Sequence, residues 1–421
     1  MNSKAEAAPL KVFVLDDKKD TEAEVARRID AAAKEANVSI TIVRADGKNQ
    51  EELLRALEAV DPEDYNPDKW IESLAPYSDI DILFVDWRLR KLQNHPWLTG
   101  DDVALSLRLF AGVPSTVVIN RFFDADFDLS LHQEAGCQAD VYLNQKQLSR
   151  TGLWVAPPAG VEAKGRNPFR PWAWPVLPDL VHDVRLCRED LDRIDLDEKI
   201  LPYFGFTESR CKSLTRAALG CLDPLERFPE QATFLDFLRH GCVSAPRELR
   251  EQLIANIGQP GTRRAAINLL ASEVRHWLFR MVLGPQDVLI DPPHLAERMP
   301  WVLGGDLADK ESWNETICFD AVRGIKPEAA RHAFEKQHWL SRPSLWLDAI
   351  QSDADVMALY SDNYIAPEEA HVFLEDISSF ELEDNAEDFL SDYSSVWAKR
   401  HVRLDSVDGD DPVYAPKSRI A

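Results

Sequence analysis

Two runs decide the fold: Lys11-Val12-Phe13-Val14-Leu15-Asp16-Asp17 and Asp81-Ile82-Leu83-Phe84-Val85-Asp86-Trp87. Each holds four consecutive apolar residues with no polar alternation, and each stops on acid. A strand buried on one face alternates apolar with polar residues, whereas an unbroken apolar strand is covered on both faces, as in parallel sheets. Outward from these two, similar runs lie at 38–43, 116–119 and 141–143, and helical stretches separate them at 21–36, 50–60, 101–110 and 126–135. Strands and helices alternating in this way, joined by right-handed crossovers, predict an α/β fold: a doubly wound, five-stranded parallel sheet of order 2-1-3-4-5. Two stretches interrupt the alternation, 61–77 before the third strand and 90–99 after it. Both are expected to decorate the strand ends.

Ligands of an open parallel sheet gather beyond the carboxyl ends of its strands, where neighbouring connections diverge. Asp16 and Asp17 fall at the end of the first strand and Asp86 at the end of the third, and the order 2-1-3-4-5 makes those strands neighbours. An acid at a strand-to-helix junction also serves to turn the chain or cap the next helix. The coincidence of Asp86 with the pair is what favours a metal. Three such carboxylates repel one another unless a cation neutralises them, and oxygen-only donors select a hard ion that keeps several waters, Mg²⁺. Direct phosphate binding would instead place glycine or hydroxyl residues after the first strand. Leu15-Asp16-Asp17-Lys18-Lys19 offers two anions there.

Four blocks now stand in order: Val-Leu-Asp-Asp at 14–17, Leu-Phe-Val-Asp-Trp-Arg-Leu at 83–89, Thr-Gly-Asp-Asp-Val-Ala-Leu-Ser-Leu-Arg at 99–108 and Ala-Gly-Cys-Gln-Ala-Asp-Val-Tyr-Leu at 135–143. Together they resemble the motifs of response-regulator receiver domains, the flavodoxin-like modules of bacterial two-component signalling, over residues 11–148. The resemblance implies that Asp86 is the phosphoacceptor. It also implies that Asp16, Asp17, Asp86 and the backbone carbonyl of Arg88 hold Mg²⁺, and that the partner is a sensor histidine kinase or phosphotransfer protein. Two positions depart from the family. Its hydroxyl residue at the end of the fourth strand is matched by Asn120. Its lysine after the fifth strand is matched by Gln145, with Lys146 one place later, able to serve only if the strand end bulges by one residue.

Residues 1–10 read as an arm. Residues 149–178 collect proline and tryptophan and read as a linker between units with distinct cores, and the fifth helix of the sheet is either lost or delayed to 180–194. From 179 to 405 helical periodicity replaces the strand signature, with helices expected at 247–257, 263–282, 327–339, 344–358 and 367–380. Residues 406–421 read as a loose tail. The i, i+3 pairs Glu273 with His276 and Glu368 with His371 have the spacing of di-iron helices, but chance supplies such pairs in a chain with 10 histidines. Hydrolase, NTPase and zinc-protease signatures do not occur.

A net charge of −24 disfavours nucleic acid, whose binding is driven by lysine and arginine displacing counterions. The 6 cysteines are scattered without a C-x-x-C pair and read as reduced thiols. No apolar run approaches the ~20 residues of a membrane span, so a cytoplasmic location with no membrane partner is expected. The expected function is therefore a phosphoacceptor in a phosphorelay, not an enzyme, regulating through a helical interaction domain or acting as a phosphate sink or buffer. Two alternatives stay open: a pseudo-receiver scaffold that works without phosphorylation, and an enzyme of unknown type in the helical half.

Overall fold

The computed structural model describes residues 8–45, 47–58, 66–89, 98–119, 138–155, 172, 174–223, 228–317, 322–361, 371–375, 377–382, 389–390 and 401–403. Strands β1 (Leu10–Leu15), β2 (Ile40–Arg44), β3 (Ile82–Asp86), β4 (Ser115–Ile119) and β5 (Val141–Leu143) pair in parallel, in the order β2-β1-β3-β4-β5. Among the described residues the helices around this sheet are α1 (Lys19–Glu35), α2 (Gly47–Glu58), α3 (Pro67–Leu74), α4 (Gly100–Ser106) and α5 (Leu177–Arg193), and the helix expected at 126–135 lies outside them. The doubly wound sheet read from the apolar runs is the sheet observed, followed by a mainly helical half.

Alternate residues of the strands feed two cores, which is why the runs show no polar gaps. Val12, Val14, Ile82, Phe84, Val117 and Ile119 pack against α1 and α5. Phe13, Leu15, Leu83, Val85 and Val118 face the other way, toward Leu53 of α2, Trp70 and Leu74 of α3 and Val103 of α4. The fifth helix is thus delayed, not lost. It begins at Leu177, with Pro178 in the first turn, where a missing N–H costs nothing. Of the stretch 149–178, residues 149–155, 172 and 174–178 are described, and their tryptophans are buried. Trp154 and Trp174 enter the sheet core, while Trp172 enters a cluster in the C-terminal region and donates its indole N–H to Asp291 at 2.8 Å.

The second-face core runs without a break into the helical half, through Ala265, Leu269 and Leu270 of the helix Pro260–Trp277. That helix lies against α3, α5 and the wide turn Leu107–Ala111 that ends α4. The insertion before β3 therefore helps to seat this helix. Trp70 of α3 is buried edge-on against Phe110, centroids 5.0 Å apart. A buried polar seam crosses the same junction. Arg108 Nη2 donates to Thr116 Oγ1 at 2.7 Å and pairs with Asp140 Oδ2 at 3.0 Å. Thr116 N donates to Asp140 at 2.8 Å, Ser272 Oγ does so at 3.3 Å, and His276 Nε2 lies 3.3 Å from Asp140 Oδ1. Asn268 Nδ2 donates to Leu109 O at 2.9 Å. Burial opposes the charge on Asp140, but Arg108 and His276 hold its carboxyl well below the usual range. Burial and nearby Arg280 push His276 down to about 4, so its imidazole is neutral at pH 7. Thr116 and Asp140 stand at the amino ends of β4 and β5, so the helical half joins the sheet at the end opposite Asp86.

The helical half departs from its periodicity in three places. Residues 327–339 form only the helix Pro327–Ala330 and a turn at Gln337–Trp339, because Ala333 bridges to Leu345 and pulls the chain out of the helix. The stretch 344–358 opens with Leu345–Trp346 as a strand paired to Leu289–Ile290, then continues as the helices Leu347–Ser352 and Ala354–Ser361. The described portion of 367–380 is no helix. His371–Leu374 and Ser379–Leu382 form an antiparallel hairpin whose paired Phe373 and Phe380 are both buried. Two apolar residues either side of a tight turn mimic helical spacing, and the turn places Ser378 at φ 50. Residues 1–7, 362–370 and 404–421 lie outside the described set, so the tail and Glu368 do too. No helix among the described residues is long and apolar enough to cross a membrane.

Candidate functional site

Leu15 pairs with Val85 across the β1–β3 ladder, which brings Asp16 level with Asp86. Asp16 Oδ1 accepts from the Lys18 amide at 2.8 Å, closing a tight turn that aims the next residues over the sheet. Neither acid caps α1, whose N-cap is Lys18 without a side-chain cap bond. From α2, Gln50 Nε2 donates to Asp16 O at 3.3 Å. One carboxylate oxygen from each of Asp16, Asp17 and Asp86 lies within 4.8 Å of the others. Asp16 and Asp86 are buried, Asp17 half-buried. Burial, then the charge of Asp17, pushes the Asp86 carboxyl up to about 7, while Lys18 and the amides of Trp87 and Arg88 pull it back. Burial thus outweighs the Lys18 charge at Asp86, and an oxygen-only donor set suits a hard divalent cation. This is the one such group found among the described residues.

No protein-family model, curated protein or solved structure matches the chain. The strand order by itself is that of a flavodoxin-like fold, and the acids sit where that order puts a ligand.

The chain leaving Asp86 is held at several points. Trp87 N donates to Ile119 O at 2.9 Å, and Trp87 O accepts from Gly100 N at 3.0 Å. The Trp87 indole N–H donates to Asp101 Oδ2 at 3.2 Å, and Tyr142 OH donates to Asp101 Oδ1 at 2.7 Å. Only glycine fits at 100, since a Cβ there would lie 2.5 Å from Asp86 O. Thr99 closes a capping box with Asp102 and so fixes where α4 starts. Reading the sequence missed Trp87 and Asp101 as a pair. The Thr99-to-Asp102 spacing was the available signal, because it marks the helix start that carries Asp101.

The remaining expected residues are placed as follows. Arg88 bridges to Thr99 and lays its guanidinium over the Trp87 ring at 5.0 Å. Asn120 lies outside the described residues. The Gln145 carbonyl accepts from Arg28 Nη1 at 3.0 Å. Lys146 begins a short turn, Gln147–Ser149, and its side chain is exposed, without a hydrogen bond or ion pair among the described residues. A basic side chain that does act on Asp86 is Lys18. Glu273 and His276 are engaged with Ser244 and Asp140 respectively, which accounts for that pair without a metal.

Proposed function

We propose that the sheet region of this chain is a receiver that accepts a phosphoryl group on Asp86. The observation that carries the reading is the convergence of Asp16, Asp17 and Asp86 at the carboxyl ends of two adjacent parallel strands. Asp16, Asp17, Asp86 and the Arg88 backbone would hold Mg²⁺, which when bound supplies the positive charge that three carboxylates and an incoming phosphate require. The Asp86 carboxylate attacks phosphorus, the bond from phosphorus to the donor breaks, and an acyl phosphate forms while the donor leaves with its electron pair. Asp86 must be ionised to attack, and Lys18 favours that form. The donor is a phosphohistidine of a sensor kinase or phosphotransfer protein, and the helical half regulates by binding protein. A phosphate sink or buffer suits a chain with Gln145 where the family has lysine.

A second reading, a scaffold that works without phosphorylation, is favoured by the exposed Lys146, which leaves the cluster without the lysine the family uses. Acetyl phosphate with Mg²⁺, followed by intact mass, separates the two. Addition of one phosphoryl group to the wild type but not to Asp86→Ala is expected. An unlabelled wild type, under conditions that label a known receiver, would leave the scaffold as the function.

A further inference from the structure

Asp101 lies within the block 99–108, where the sequence assigned it no role, yet it is a buried carboxylate one residue inside α4 with two donors aimed at it. One donor is the indole of Trp87, the residue that follows Asp86. The other is the hydroxyl of Tyr142, in the middle of β5, which itself accepts from the amides of Gln138 at 3.2 Å and Ala139 at 3.3 Å. A carboxylate in this position ties three elements: the exit of β3, the first turn of α4 and β5. Gly100 packs against the Asp86 carbonyl with no room for a side chain, and its amide holds Trp87 O. The backbone on either side of Trp87 is therefore fixed by its neighbours, and the indole is fixed by Asp101.

We propose that Asp101 is a positioning residue for the acidic cluster: by holding Trp87 through its indole N–H, it keeps the Asp86 carboxylate and the amides of Trp87 and Arg88 in register with Asp16 and Asp17. This rests on the metal-binding reading given above. The physical argument is that three like charges converge only if the backbone carrying them cannot relax apart. Asp16 is fixed by its own turn and by Gln50. Asp86 is the last residue of its strand; beyond Trp87 N the chain is held by Gly100 N on Trp87 O, by the Arg88–Thr99 bridge and, through the indole, by Asp101, which adds a side-chain tether to the backbone ones. Groups behind a metal's direct ligands act on affinity in the same way, each typically worth about 10-fold or more.

The test uses the full chain with Mn²⁺ as probe, free ion being read by its electron paramagnetic resonance signal, and with Mg²⁺ as competitor. Wild type should bind Mn²⁺ at a site lost in Asp16→Asn. Asp101→Ala should weaken binding about 10-fold, with the thermal midpoint of the metal-free protein largely kept. Asp101→Asn, which retains an oxygen for the indole, should recover some of the loss. Trp87→Phe removes the donor while leaving Asp101 in place and should weaken binding in the same direction; it carries the test alone if Asp101→Ala does not fold. Wild-type binding left unchanged by the Asp101 and Trp87 variants would overturn the positioning role and spare the metal site. No Mn²⁺ binding by the wild type would overturn both.

Discussion

A carboxyl group held at about 7 is half protonated at neutral pH, so a divalent cation entering the cluster must expel a proton. Mg²⁺ affinity should therefore strengthen as pH rises through 7 and level off above it, which calorimetric titration at several pH values would reveal. Stability of the metal-free protein should run the other way. The folded Asp86 binds a proton more tightly than the unfolded one, whose value is 3.8, up to about 7. That stability is fully present below the unfolded value and lost as pH rises toward 7. Asp86→Asn should accordingly raise the thermal midpoint at pH 8 by roughly a few degrees and change it little at pH 4. Asp16, Asp17 and Asp86 were legible because each ends an apolar run, a purely local pattern. Asp101 was not, because its contact with Trp87 joins residues 14 apart in the sequence, and the direction of Lys146 depends on how the chain leaves β5.

At the scale of elements, the seam between the sheet and Pro260–Trp277 pairs a buried cation with a buried anion in Arg108 and Asp140. Such a pair adds little net stability, but leaving one member alone is costly. Asp140→Ala should lose about 3–5 kcal/mol in urea unfolding, as Arg108 keeps its charge without its carboxylate. The five strands, α1 and α2 were readable because their periodicity is local and strong. α5 was harder to place, since a long proline-rich stretch precedes it. The hairpin at 371–382 was misread, since apolar residues spaced on both sides of a turn fit a helical template as well as a strand pair.

For the whole molecule, the shared core sets how the chain comes apart. The full protein should unfold in one thermal transition by calorimetry, because the apolar cluster of the sheet's second face continues into the helical half. A fragment of residues 1–150 lacks Leu177, Leu180, Val181 and Val184 of α5, which cover the other face, each such side chain being worth roughly 1.5–3 kcal/mol when buried. That fragment should show no cooperative melt by circular dichroism, whereas 1–198 should show one, at lower temperature than the full chain. Identical melts for the two fragments would mean that the sheet closes without α5. Periodicity gave the helical character of the second half, but not its seat against the sheet, which depends on contacts between residues more than 100 apart, as with the Asn268 side chain and the Leu109 carbonyl.

That separation also orders events on the ribosome. The bond from Asn268 to the Leu109 carbonyl spans 159 residues, so the face formed by α3, the wide turn and α5 is complete well before the helix that covers it has been made. At about 5–20 residues per second, the nascent chain displays Trp70 and the apolar side chains around it to solvent for several seconds after the sheet is able to form. During that interval the emerging protein presents a sticky surface of its own making, and a chaperone that shields it until Pro260–Trp277 arrives would decide how much of each synthesis run reaches the native state.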